Sequence, residues 1–192
     1  MSSYRQQWPP VEIDPVTPHP DAPAAGTKLA EHYAECFGCG EQQPAGLHLC
    51  STVGAGLHVH SQFLVTEAHQ GAPGLAHGGL LACAFDEALG SAVGNLLRKP
   101  AVTERLETDF KKPVPVGSTL YIDATLDGTA GRKIYANADG RLDSRDGPLA
   151  VRARALFVVV GFEHFATHGD TDALQKFRQS DDHPSEDWDI NP

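Results

Sequence analysis

The chain is short of positive charge: 15 Lys and Arg stand against 25 Asp and Glu in 192 residues, a formal net charge of -10. A surface of that sign repels a phosphate backbone, so nucleic acid is not expected as a partner. The deficit sits at the two ends. Residues 1–35 hold five acids and two bases and residues 163–192 hold eight and two, whereas 36–162 is nearly balanced at twelve and eleven. No uninterrupted apolar run approaches the roughly 20 residues that cross a bilayer, so no membrane partner is expected. Met1 to Trp8 has no apolar core of a secretory leader, and Glu12 and Asp14 are wrong for an organellar one. There are only four cysteines, Cys36, Cys39, Cys50 and Cys83. Without a leader they are expected as reduced thiols, in a cytoplasmic protein. At 20.5 kDa there is no room for two full domains, but 41% hydrophobic residues suffice for one real core. No internal repeat is visible.

Six of the 14 prolines fall in the first 23 residues. Such a segment cannot donate a regular backbone ladder, so 1–26 reads as a disordered or extended arm. A short helix is expected over 27–34. Residues 166–192 read as an acidic tail with one short helix near 170–179. The fold signal lies between, in 27–165. Leu57, Val59, Phe63 and Val65 alternate on one face, as do Leu120, Ile122, Ala124 and Leu126; 132–138 and 149–160 repeat the period of two, and 105–112 is a further strand. Residues 78–97 break the pattern, with apolar residues on nearly all sides, the mark of a helix surrounded by protein. A strand, a buried helix and four more strands predict an α+β hotdog fold, an antiparallel sheet wrapped around a central helix.

Two carboxylates, Asp86 and Glu87, interrupt that apolar helix. A buried carboxylate either shifts its pKa or finds a partner. At 3.6 residues per turn the two point about 100° apart. Glu87 reads as an ordinary residue at a seam or solvent edge, and Asp86 as a functional candidate. The helix opens at His77-Gly78-Gly79, where exposed N–H groups and the positive dipole end suit a developing oxyanion.

His77-Gly78-Gly79 with Asp86 nine residues after the histidine resembles the hotdog-fold acyl-CoA thioesterases. The resemblance is to the phenylacetic-acid-pathway type and its eukaryotic thioesterase-superfamily relatives. Cys36-Phe-Gly-Cys39-Gly40, Gly46-Leu47, Lys111-Lys-Pro-Val-Pro115 and Gly131-Arg132-Lys133 match their patterns, over roughly 36–162. The resemblance implies that the Gly78 amide polarises a thioester carbonyl and that Asp86 acts as nucleophile or general base toward water. Gly78 and Asp86 lie about 12 Å apart along one helix, too far to touch one carbonyl. The working pair is therefore expected to join two subunits of a homodimer with sites at its seam; pairing of dimers into a dimer of dimers stays open.

The same resemblance brings in His77, to orient the loop or the oxyanion, and Thr103, to place water. It sets Gln70 and Gly79 beside the thioester, and Asp109, Lys111, Tyr121, Arg132 and Lys133 near the coenzyme A. Arg132 and Lys133 alternate, so one of them is expected to reach a phosphate. Lys112, Arg152 and Arg154 are reserves. The substrate implied is an acyl-CoA, hydrolysed to free acid and coenzyme A without cofactor or metal. One Cys-x-x-Cys supplies half of a zinc set; His32, His48 and Cys50 are the residues that would complete it, and Cys36 and Cys39 read first as structural packing. Two rivals stay open: a non-catalytic acyl-CoA binding or regulatory protein of the same fold, and a hydratase, whose Asp and His loop pattern is not found.

Overall fold

The computed structural model describes residues 7–170. The helix expected near 170–179 and the tail beyond it fall, except for Asp170, outside the described residues. In chain order the elements are β1 (Cys50–Val53), β2 (His58–Leu64), β3 (Gln70–Ala72), β4 (Leu75–Ala76) and α1 (Gly78–Ala92), which runs on through a π-helical turn, Val93–Leu97. Then come β5 (Ala101–Phe110), β6 (Thr119–Ala130), β7 (Lys133–Leu142), β8 (Leu149–Val159) and α2 (Phe162–His168). Six strands form one antiparallel sheet in the order β1-β2-β6-β7-β8-β5, and β3 with β4 makes a small hairpin leading into α1.

The period-two segments become strands because each has one apolar side to bury. Val59 and Phe63 of β2, Leu120, Ile122, Ala124 and Leu126 of β6 and Ile134, Ala136 and Ala138 of β7 all turn inward. α1 lies across this face and contacts β2, β5, β6, β7 and β8. Its buried stripe is Leu81, Ala84, Phe85, Ala88, Leu89 and Ala92, the three-and-four spacing of a single helix side. Phe85 is fully buried, and Gly140 of β7 makes room for it: a Cβ there would stand 2.6 Å from the Phe85 ring. Glycine is otherwise unfavourable inside a strand.

Several expectations are corrected. α1 is not buried all round, because Leu80, Cys83, Asp86, Glu87 and Gly90 are only half-buried. The helical stretch Gly78–Leu97 is also long and apolar enough to cross a bilayer, which no single apolar run had suggested; its apolar stripe is spent on the sheet, as in a core helix. The helix expected over 27–34 is absent. Leu29 N–H instead donates to Ser51 C=O (2.9 Å) and Lys28 bridges Thr52, so this segment runs extended beside β1 and buries Leu29. β5 starts four residues before Arg105, because Ala101, Val102 and Thr103 pair with Val159, Val158 and Phe157. Of the two forms expected for the N-terminal arm, its described part is extended. Asp14 exchanges backbone bonds with Thr129 (2.7 and 2.9 Å), and the Trp8 indole donates to Asp127 (3.2 Å) while Arg154 stacks 5.1 Å above its ring.

Candidate active site

The start of α1 is capped from two directions. His77 is the N-cap residue: its Nδ1 accepts from Gly79 N–H (2.9 Å), and its carbonyl accepts from Leu80 and Leu81 N–H (3.0 and 3.1 Å). The first four N–H groups of a helix have no partner within it, and here three of the four are satisfied. Among the described residues the fourth, Gly78 N–H, has no hydrogen-bond partner. It points from the positive end of the helix dipole, the place where a developing negative oxygen is held best. Accepting through Nδ1 fixes the His77 proton on Nε2. Gly71 is needed behind it, since a Cβ there would lie 2.7 Å from the His77 backbone. The Gln70 side chain is occupied in its own turn, accepting from Gly74 N–H (2.7 Å) and donating to Glu67 C=O (3.3 Å).

Two turns further along α1, Asp86 leaves the apolar stripe and faces β5. The Thr103 hydroxyl donates to its Oδ1 at 2.8 Å. Burial pushes the Asp86 carboxyl above the usual carboxylate range; the Thr103 bond pulls it back, and the neighbouring Glu87 charge adds to the rise. A carboxylate that is only partly desolvated, and steadied by one donor, keeps its second oxygen for a water molecule. The neighbouring Cys83 thiol does not compete for this role: burial, then the Asp86 charge, pushes it up to about 11.

Within one chain the candidate residues fall into two groups at opposite ends of β5. Gly78, His77, Gly79 and Gln70 gather near Phe110, whose ring lies 3.4 Å from where a Gly78 Cβ would be. Lys111 sits at this end too, bonded to Asp109 (2.9 Å). Asp86 and Thr103 form the other group; Lys133 is near it, paired with Glu104 (3.7 Å), and Arg132 donates to Val159 C=O (3.4 Å). Tyr121 and Asp109 lie on the sheet face away from α1: Leu120 and Ile122 on either side of Tyr121 turn inward, and Asp109 pairs across to Arg152. Two of the three reserve cations are engaged as well, Arg152 with Asp139 (2.6 and 3.0 Å) and Arg154 with Glu107 (2.7 Å). Such exposed pairs contribute little to stability.

Glu87, read from the sequence as ordinary, has a different setting. It turns toward the 27–47 segment, where its carboxylate meets His32 Nδ1 (3.2 Å) and Cys36 Sγ (3.4 Å), while Cys39 Sγ lies 3.1 Å from the same His32 nitrogen. Hydrogen bonding between the two thiols pulls Cys36 down and pushes Cys39 up. The other two zinc candidates are elsewhere: Cys50 Sγ donates to His48 C=O at 3.6 Å. Only the sequence distance hides this cluster, since Glu87 lies 55 residues from His32.

Comparison with known proteins agrees with this geometry. Residues 73–147, the stretch from the β3–β4 turn through β7, match the family model described as the thioesterase superfamily. The chain is 37% identical over 99 residues to the acyl-coenzyme A thioesterase THEM4 of Bos taurus and 33% identical over 89 residues to that of Xenopus laevis. These matches take in 51% and 46% of this chain, and the chain spans only 39% of the length of either relative. Among solved structures, a thioesterase superfamily protein superposes with a TM-score of 0.58 at 26% identity, over 72% of this chain and 70% of that one. The PaaI protein of the E. coli phenylacetic acid degradation operon shares the fold, with a TM-score of 0.53 at 18% identity, over 60% of this chain and 81% of its own. Residues 73–147 are therefore similar to the thioesterase superfamily, and the domain built around them has the hotdog fold.

Proposed function

We propose that the protein is an acyl-CoA hydrolase that works as a two-fold homodimer with two active sites at the subunit seam. The observation that carries this reading is the pairing of a half-buried, hydroxyl-supported carboxylate, Asp86, with one unpartnered helix N-terminal amide, Gly78. The names of the relatives point to the same substrate class. Water bound at the open oxygen of Asp86 loses its proton to the carboxylate as it attacks the thioester carbon. The carbonyl oxygen, now negative, accepts a hydrogen bond from the Gly78 N–H. The tetrahedral centre then collapses with loss of the coenzyme A thiolate, which recovers the proton from Asp86. Direct attack by Asp86, through an anhydride that water opens, uses the same two groups. His77 acts by holding the helix start, and Thr103 by holding Asp86. Lys111, Arg132 and Lys133 are the cations offered to the coenzyme A phosphates.

An unfinished edge supports the dimer. β5 ends the sheet with ten residues, and among the described residues no strand lies along its outer hydrogen-bonding side; such an edge invites a second chain. Two β5 strands paired antiparallel about a two-fold axis near their middle set the Phe110 end of one against the Thr103 end of the other. That places Gly78 of one subunit beside Asp86 of its partner, and lays the half-buried faces of the two α1 helices toward each other. Whether such dimers pair again is a separate question of the outer sheet face. The four cysteines are all free, which suits a reducing compartment such as the cytoplasm.

Thiol release from a panel of acyl-CoAs tests the chemistry; failure to turn over any of them would leave a binding protein instead. Subunit mixing tests the shared site. Gly78→Pro removes only the amide, at the first helical position, where proline fits. Each of Gly78→Pro and Asp86→Asn should be inactive alone. Mixed and allowed to exchange, they should recover activity, because each heterodimer has one intact site. Persistent inactivity in a verified heterodimer would place both residues in the same subunit's site.

A further inference from the structure

We infer that His32, Cys36, Cys39 and Glu87 form a zinc site that clasps the 27–47 segment to the central helix. One ligand atom from each of the four lies within 4.8 Å of all the others. Three of these approaches are 3.1 Å between Cys39 Sγ and His32 Nδ1, 3.2 Å between His32 Nδ1 and Glu87 Oε1, and 3.4 Å between Cys36 Sγ and Glu87 Oε2. A tetrahedral ion with bonds of about 2.0–2.3 Å spaces its ligands roughly 3.3–3.8 Å apart, so small side-chain movements suffice to seat it.

The backbone around the cysteines is shaped for this purpose. Gly38 N–H donates to Cys36 Sγ at 3.3 Å, a bond that favours the thiolate, and Gly40 N–H returns to Cys36 C=O at 2.9 Å. A side chain is excluded where the loop meets the helix, since a Cβ on Gly38 would stand 2.5 Å from Glu87 Oε2, and also within the loop's own turn, where one on Gly40 would stand 2.3 Å from Ala34 C=O. The loop thus approaches α1 as closely as a glycine permits, which brings Glu87 to the sulfurs. The Glu87 side chain is only 14% exposed. A carboxylate in that position calls for a positive partner; a protonated His32 is one at 3.2 Å, and an ion bound among the four ligands would supply the charge in its place. His32, at 61% exposed, leaves a way in.

The donor set identifies the metal. Two thiolates and an imidazole select zinc over magnesium or calcium, and the carboxylate completes the four ligands of a closed, structural shell. Binding releases the thiol protons and replaces a thiol–imidazole network with metal–ligand bonds, so its free energy adds to that of folding. The site is separate from the reacting centre. Asp86, although next in sequence to Glu87, is held by Thr103 on another side of the helix.

The experiment uses the full chain, stripped with a chelator and titrated with zinc alone against a chromogenic competitor. A parallel titration uses cobalt, whose near-ultraviolet thiolate charge-transfer band reports sulfur ligation. One zinc per chain, a cobalt–thiolate band and a zinc-dependent rise in Tm are expected. The Cys36→Ser, Cys39→Ser double variant should lose the band and roughly 100-fold or more in affinity, since even the support of a ligand is worth 10–100-fold. Glu87→Gln should weaken binding less and keep the band. The wild-type cobalt spectrum needs no variant to fold, so it decides on its own. No tight uptake, or uptake without the thiolate band, would overturn the site, as would a folded double cysteine variant that binds zinc like wild type.

Discussion

Asp86 and Glu87 are adjacent on one helix, carry the same group and begin from the same apolar background, yet they end in opposite settings. Asp86 turns to the open edge of the sheet, where it has a single hydroxyl donor and a face left for a ligand. Glu87 turns to the N-terminal segment, where an imidazole and two sulfurs surround it. The rotation of about 100° between successive helix positions separates them. A carboxylate's role is thus set by what the neighbouring elements bring to it. A single partner leaves one carboxylate oxygen open to a ligand, whereas several partners enclose it.

Breaking the contrast on the reactive side has the largest effect. Asp86→Asn should lower turnover about 10²–10⁴-fold, the usual range for loss of a positioned base. Stability should move the other way. The Asp86 pKa is raised by folding, so the folded state disfavours the ionised form, and stability falls as pH climbs from the unfolded value through the folded one. A neutral amide escapes that penalty, so at neutral pH the variant's Tm should equal or exceed that of wild type. A Tm several degrees lower would mean that Asp86 is part of the scaffold. Phe85→Ala removes the anchor the two flanks share, since Phe85 is fully buried and seated over Gly140. Loss of about 3–5 kcal/mol in urea unfolding is expected for such a truncation. A loss under 1 kcal/mol would show that α1 is held by other contacts.

The same contrast marks what could be read from the sequence. The strands and α1 were visible because burial of one side imposes a period, and Asp86 stood out as a charge inside an apolar run. The capped His77-Gly78-Gly79 start was visible because its glycines serve a local geometry. Glu87 was missed because its partners come from more than fifty residues away and no local pattern encodes them. The segment 27–34 was misread for a related reason. Its helical propensity is a weak preference, and the chance to bury Leu29 and pair with β1 overrides it. Where β5 begins was also invisible locally, being decided by pairing with the end of β8.

The smallest and sharpest test concerns the hydroxyl that sets Asp86 apart. Thr103→Val keeps the shape and removes the donor, a hydrogen bond to a charged group worth about 1.5–3 kcal/mol, so turnover should fall roughly 10- to 100-fold. The pH profile carries the stronger information. Asp86 must be ionised to accept a proton, so the acid limb of the rate profile follows its pKa. The Thr103 bond favours the ionised form and therefore lowers that pKa. Without it the pKa rises and the acid limb moves to higher pH, so the deficit should be greatest in acid and narrow toward alkaline pH. Thr103→Ser restores a hydroxyl at the same position and should return the limb toward wild type. A Thr103→Val profile lowered evenly at every pH would instead assign the hydroxyl to substrate or to packing, and would remove the distinction drawn between the two carboxylates on that side of the helix.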